Sequence, residues 1–176
     1  MPGIQRSERP RLTDHSAFLA SFIGLPVSHV WRGYGSALFV ELGELTPTRV
    51  RRDGSPGNPE GEMSLMIEWS WRIERPRSIL CGSFSEETTW PRAFAKLVGS
   101  TVKNVTIFGR LPEVSLAFSN GLHLSSFMTA DGQPQWVLFD RRKPTTSWLA
   151  VERGVVSYGI AEMPRHTPAP QPGRPL

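Results

Sequence analysis

The sequence predicts an α+β fold: two tandem helix-plus-four-stranded antiparallel sheet units related by a pseudo-two-fold axis, followed by a C-terminal β-hairpin. Three observations lead there. The stretch Thr13 to Val30 aligns without a gap on Thr88 to Val105, with identity at Thr13/Thr88, Ala20/Ala95, Gly24/Gly99, Val27/Val102 and Val30/Val105 and apolar matches at Leu19/Phe94, Phe22/Leu97 and Ile23/Val98. Leu65, Ile67, Trp69, Trp71 and Ile73 alternate with Met66, Glu68, Ser70, Arg72 and Glu74, the period of a half-buried strand. The 16 Gly and 16 Pro among 176 residues favour turns and strands over long helices. Two like units with like apolar faces can bury those faces against each other.

The elements follow in order. Residues 1–10 read as a disordered arm. The first unit, 11–84, opens with a helix capped by Thr13 or Asp14, carries Phe18, Leu19 and Phe22 on one side and stops at Gly24 before Pro26. A strand over Val27 to Arg32, a turn at Gly33-Tyr34-Gly35 and a strand over Ala37 to Leu42 come next. Residues 47–60 hold three Pro, two Gly and several Arg, and read as a mobile loop inserted at a hairpin tip. The long alternating strand and a strand over Ser78 to Phe84 close the unit.

The second unit, 85–143, repeats the order. Its helix begins near Glu86 and Glu87, accepts Pro91 in its first turn and ends at Gly99. Strands follow over 101–108, around Val114 to Phe118, over 122–128 and over 135–140, with Asn120-Gly121 and Asp131-Gly132 as hairpin turns. The hairpin at 144–160 turns at Arg153-Gly154 and has no counterpart in the first unit. The Pro-rich stretch 161–176 reads as a disordered tail.

Composition narrows the functional classes. Net charge is +4, but the arm, the loop and the tail carry seven Arg against four acids, so the folded part is nearly neutral. A nucleic-acid surface concentrates its cations on ordered structure, so nucleic acid is not the expected partner. The polar N-terminus contains no signal-peptide core, and no apolar run reaches the length of a membrane span. The expectation is a cytoplasmic protein without membrane association. Arg far outnumbers Lys (only Lys96, Lys103 and Lys143), the skew of a GC-rich bacterial coding bias.

Catalytic and metal chemistry find no constellation. His15, His29, His123 and His166 stand at no ligand spacing and Cys81 is alone, so neither a metal site nor a cofactor is expected. Cys81 sits in an apolar strand and reads as a small buried hydrophobe. No nucleophile elbow or phosphate loop occurs. Glu68, Arg72 and Glu74 read as salt links on a solvated sheet face.

The tempting surface is aromatic. Trp31 beside Arg32 falls out of phase with Val30 and so reads as exposed, whereas Trp69 and Trp71 read as core. The binding candidates are Trp31, Arg32, His29, Arg72 and His123; His29 and His123 could meet across the expected axis. The expected function is a non-catalytic protein-interaction module, of the kind that immunity proteins and accessory subunits represent, with another protein as partner. The alternative is a small-ligand binder or enzyme with a cavity between the units, lined by Trp31, His29 and His123.

Overall fold

The structure, a computed structural model, describes residues 15–47, 50–130 and 134–160. The arm, the tail, the Thr13 and Asp14 caps, His166 and the Asp131-Gly132 turn lie outside them. The described residues form α1 (Ser16–Ala20), β1 (Val27–Arg32), β2 (Leu38–Thr46), β3 (Glu60–Ile67), β4 (Trp71–Arg75), β5 (Ser78–Gly82), α2 (Trp90–Ala95), β6 (Val102–Phe108), β7 (Glu113–Phe118), β8 (His123–Ser126), β9 (Trp136–Asp140), β10 (Ser147–Glu152) and β11 (Val155–Ile160). A single 3-10 turn, Glu87–Thr89, precedes α2.

This is a mostly β fold, and it overturns the α+β expectation. The described helices have only five and six residues. Helical hydrogen bonding gives way to tighter turns, and Gly24 and Gly99, at φ of 90° and 85°, then redirect the backbone into β1 and β6. Helices this short cannot sustain themselves, because nucleation consumes most of what a few hydrogen bonds return. They stand because Phe22, Trp90, Ala93, Phe94 and Leu97 insert into the core.

The strands do not form two four-stranded units either. One sheet has the order β1-β2-β3-β9-β10-β11 and the other β5-β4-β8-β7-β6, all pairs antiparallel. Each sheet therefore takes strands from both halves of the chain. The long alternating segment breaks at Glu68-Trp69-Ser70, where the backbone leaves one sheet and enters the other. The crossing is held by Glu68 N–H donating to the Gln135 carbonyl (2.9 Å) and Phe127 N–H donating to the Ser70 carbonyl (3.1 Å). Trp69, expected in the core, lies at this break and is 51 % exposed. Trp71 is fully buried. The alternation keeps its phase across the break because both pieces face the same core.

The two glycine turns grip one another. Gly24 N–H donates to the Val102 carbonyl and Gly99 N–H to the Val27 carbonyl, both at 2.8 Å. Val27 N–H donates to Ser100 (2.8 Å), Val102 N–H to Leu25 (2.9 Å), and Pro26 bridges Thr101 between them. Bulges fall at matching places, Val27/His29 in β1 and Val102/Asn104 in β6. The buried indoles match as well: Trp71 Nε1 donates to the Ser36 carbonyl before β2, and Trp136 Nε1 to the Pro112 carbonyl before β7.

Inward-facing residues of both sheets and of the helices make one continuous core, with Val40, Leu65, Leu138 and Leu149 on one side and Ile73, Val105, Leu116 and Leu124 on the other. The C-terminal hairpin is part of this fold, since β10 pairs with β9 along five residues. Its turn has positive φ at both Arg153 (51°) and Gly154 (73°), the I′ geometry. The Asn120-Gly121 site is not an I′ turn: Gly121 alone is at positive φ, and β7 and β8 are joined by residues 119–122. There Asn120 Nδ2 donates to the Lys96 carbonyl (2.7 Å), tying the loop to the end of the α2 segment. In the long loop between β2 and β3, Val50 bridges Pro56, and the Asp53 carboxylate accepts from Ser55 N–H (2.9 Å) and Oγ–H (2.6 Å). These local bonds hold the Asp53 carboxyl below its ordinary range.

Candidate functional site

Strand registers place two rows of side chains on the outer face of the six-stranded sheet. One row runs Trp31, Phe39, Met66, Val137, Ala150 across β1, β2, β3, β9 and β10. The next runs His29, Glu41, Ser64, Phe139, Trp148. Successive residues of a strand point to opposite sides, so these rows lie opposite the core residues Val30, Val40, Leu65, Leu138 and Leu149. Val137 and Ala150 are buried yet do not belong to the central core cluster. They form an apolar floor between the larger side chains of the outer face.

The aromatic side chains of this face are each held by a specific contact. Trp31 stacks on Phe39, with ring centroids 4.0 Å apart and planes 7° from parallel. Its Nε1 donates to Glu41 Oε1 (3.0 Å). Glu41 Oε2 accepts from Gly61 N–H (2.9 Å) and stands 4.0 Å from Arg141 Nη1. The Arg141 guanidinium covers the Phe139 ring at 4.8 Å and donates to Ser64 Oγ (2.8 Å). At the far end the Trp148 indole crosses Gly159, where a Cβ would stand 2.2 Å from the ring; only glycine lets the indole lie down.

Glu41 is the electrostatic centre of the face. It is 1 % exposed, and burial pushes its carboxyl above the ordinary glutamate range. The Gly61 N–H, the Trp31 indole and Arg141 oppose that rise, in that order. A carboxylate on a strand flanked by Val40 and Leu42 thus acts as an anchor: it fixes the indole above Phe39 and ties β2 to the start of β3.

The five sequence-derived candidates separate. His29 and Trp31 lie on this face. His29 Nε2 faces Asn58 Oδ1 at 3.4 Å, and Trp31 is half-buried. Arg32, at the end of β1, forms a two-pronged pair with Glu87 and sits 4.9 Å over the Trp90 ring, bracing β1 against the turn before α2. Arg72 and His123 lie on the outer face of the five-stranded sheet. Arg72 pairs with Glu74 and covers Phe127 at 5.4 Å; His123 is exposed and opposite Glu74. His29 and His123 therefore occupy different sheets and point away from the shared core.

Sequence reasoning missed Phe39, Glu41, Phe139, Arg141 and Trp148. The run Trp136-Val137-Leu138-Phe139 carried the signal: apolar residues at consecutive positions mark a strand covered on both faces. Cys81 is buried as expected, its Sγ 3.5 Å from Thr89 Oγ1. Among the described residues no three His, Cys, Asp or Glu side chains gather to hold a metal ion, and no helix is long and apolar enough to cross a membrane. Compared with models of known families, with curated proteins and with solved structures, the chain matches none of them.

Proposed function

We propose that the protein is a non-catalytic protein-interaction module whose binding surface is the outer face of the six-stranded sheet. One observation carries the reading: Trp31, Phe39, Phe139 and Trp148 lie half-buried on that face, while the partly buried Phe18 and Leu19 of α1 and the buried Trp90, Ala93 and Phe94 of α2 pack against the core on its other side. Interfaces between proteins are enriched in Trp, Phe, Met and Arg, and their strongest contacts come from preorganised aromatic and Arg side chains. Here the stack, the Glu41 anchor and the Arg141 clamp restrict the side chains before any partner arrives, which lowers the ordering cost of association. The alternative of a ligand cavity between the halves has less support, because the residues expected to line it, Trp31, His29 and His123, stand on two opposite outer faces.

Affinity capture from native lysate, run in parallel with two double variants, tests the proposal. Trp31→Ala with Phe139→Ala should weaken capture of the partner by about thirtyfold or more, the scale of losing one strong contact residue. Thr106→Ala with His123→Ala, on the other sheet, should leave capture within about twofold. Equal loss from both pairs, or recovery of the chain without any partner, defeats the proposal.

A further inference from the structure

We infer that the chain forms a symmetric homodimer in which β11 pairs antiparallel with β11 of a second copy, continuing the six-stranded sheet across a two-fold axis. Edge strands invite pairing, and folded proteins blunt them with bulges, charges, proline or coverage. Three of the four edges here are blunted. β1 carries a bulge at Val27/His29 and is engaged beside it by the Pro26–Thr101 bridge. β6 carries a bulge at Val102/Asn104 and the exposed Lys103. β5 pairs through an irregular register at Ile73/Glu74 and has α2 packed against it. β11 has none of these devices. Its six residues, Val-Val-Ser-Tyr-Gly-Ile, pair with β10 in unbroken register, contain no charge and no proline, and have no neighbouring strand on the far side among the described residues.

The strand's own pattern selects its occupant. A two-residue I′ turn closes on a hydrogen-bonded pair, here Glu152 and Val155. Hydrogen-bonded and non-bonded pairs alternate along an antiparallel ladder, so Ser157 and Gly159 also bond to β10. The backbone groups of Val156, Tyr158 and Ile160 then face outward. A contact of two-fold symmetry must be self-complementary. Centred on Tyr158, two copies of β11 set Tyr158 opposite Tyr158, Val156 opposite Ile160 and Ser157 opposite Gly159. Apolar meets apolar, small meets small, and the outward backbone groups of both copies coincide. Tyr158 and Ile160 are 48 % and 61 % exposed in the single chain. The Phe18 ring stands edge-on to Tyr158 at 5.8 Å and holds it toward the inner side, in line with the core.

Sedimentation velocity of the full chain, with circular dichroism as a folding control, tests this. The unmodified chain and Tyr158→Phe should be dimeric. Tyr158→Lys and Tyr158→Glu should each be folded and monomeric, because like charges then stand directly opposite; we expect dimer dissociation constants raised about tenfold or more. An equimolar mixture of the Lys and Glu variants should recover the dimer. Should Tyr158→Lys not fold, Ile160→Lys, at the exposed end of the strand, carries the same expectation. A monomeric unmodified chain overturns the inference, including one that pairs its edge only with a strand of another protein. So does a dimer that the charged variants leave intact. Neither result bears on the aromatic face, whose variants leave β11 untouched.

Discussion

The two outer faces of this molecule occupy matching frames and are built of opposite materials. On the six-stranded sheet the register reads Trp31, Phe39, Met66, Val137, Ala150; at the matching places on the five-stranded sheet it reads Thr106, Ser115, Ser125, Arg72, Gly82. The next row compares His29, Glu41, Ser64, Phe139 and Trp148 with Asn104, Ala117, His123, Glu74 and Ile79, so the second face carries one exposed apolar side chain, Ile79, where the first carries Trp148. Inside, the same frames are nearly interchangeable: Val27 and Val102 are both buried, as are Val30 and Val105. The backbone and the core need likeness, because both sheets close on one apolar interior. The outer sides are released from that demand. One of them has accumulated aromatic surface that a solvated sheet does not require, and that contrast is the ground for proposing it as the binding face.

The largest expected effect tests the likeness of the interiors. Trp71 and Trp136 are both fully buried and both donate an indole N–H to a carbonyl just before a strand of the opposite sheet. Trp71→Ala and Trp136→Ala should each cost about 3–5 kcal/mol in denaturant unfolding, through lost burial and the cavity left behind. Trp71 also meets Trp90 edge-on at 5.2 Å and Phe94 at 5.7 Å, which places it toward the upper end of that range. If one variant unfolds the protein while the other costs under about 1 kcal/mol, the two interiors are not equivalent and the contrast between outer faces loses its internal control.

An intermediate effect comes from one residue type set on each face. Glu41→Ala leaves the Gly61 N–H and the Trp31 indole without their acceptor and should cost about 1–3 kcal/mol. Glu74→Ala removes a half-exposed pair with Arg72 and should cost under about 1 kcal/mol. The pH response separates the mechanisms further. Burial raises the Glu41 pKa in the folded state, so the native chain holds this proton more tightly than the unfolded chain does. The stability linked to protonated Glu41 is then complete below the ordinary value near 4.5 and is lost as pH rises through the higher folded value. Glu41→Gln should remove that slope, so its stability relative to the unmodified chain increases with pH above about 4.5. A difference that stays flat, measured by unfolding from mildly acidic to neutral pH, means that Glu41 is better solvated than its burial implies.

Much of the strand pattern was legible in the sequence. Val27–Arg32 and Val155–Ile160 stand where the turn residues around them put them, and Arg153-Gly154 is the turn between β10 and β11. The exchange of strands between sheets was not legible. Period-two alternation reports which side of a strand faces the core, and the segment on either side of Trp69 faces the same core. Crossing from one sheet to the other therefore leaves no mark in the phase. The helices were overextended for a related reason: apolar spacing up to Gly24 and Gly99 fits a helix, yet the last residues before each glycine bond in tighter turns. Of the aromatic face, Trp31 was visible because it breaks phase beside Val30. Phe139 and Trp148 were hidden because their strands are apolar on both sides, and there alternation carries no signal.

The smallest expected effect decides whether the polar face is simply solvated surface. Ser115 and Ser125 face each other across β7 and β8 with their hydroxyls 2.9 Å apart. Ser125 is buried, so Ser115→Ala leaves its hydroxyl short of one partner. The cost should still fall near 0.5–1 kcal/mol, about the net value of one ordinary hydrogen bond, because a hydroxyl can rotate to another acceptor. The matching change on the other sheet, Phe39→Ala, removes the ring beneath Trp31 and frees the indole from its stack, so it should cost more and also weaken partner capture. Should Ser115→Ala prove as costly as Phe39→Ala, the five-stranded face carries structure of its own. The asymmetry on which the proposed binding surface rests would then be one of composition alone, without an energetic difference behind it.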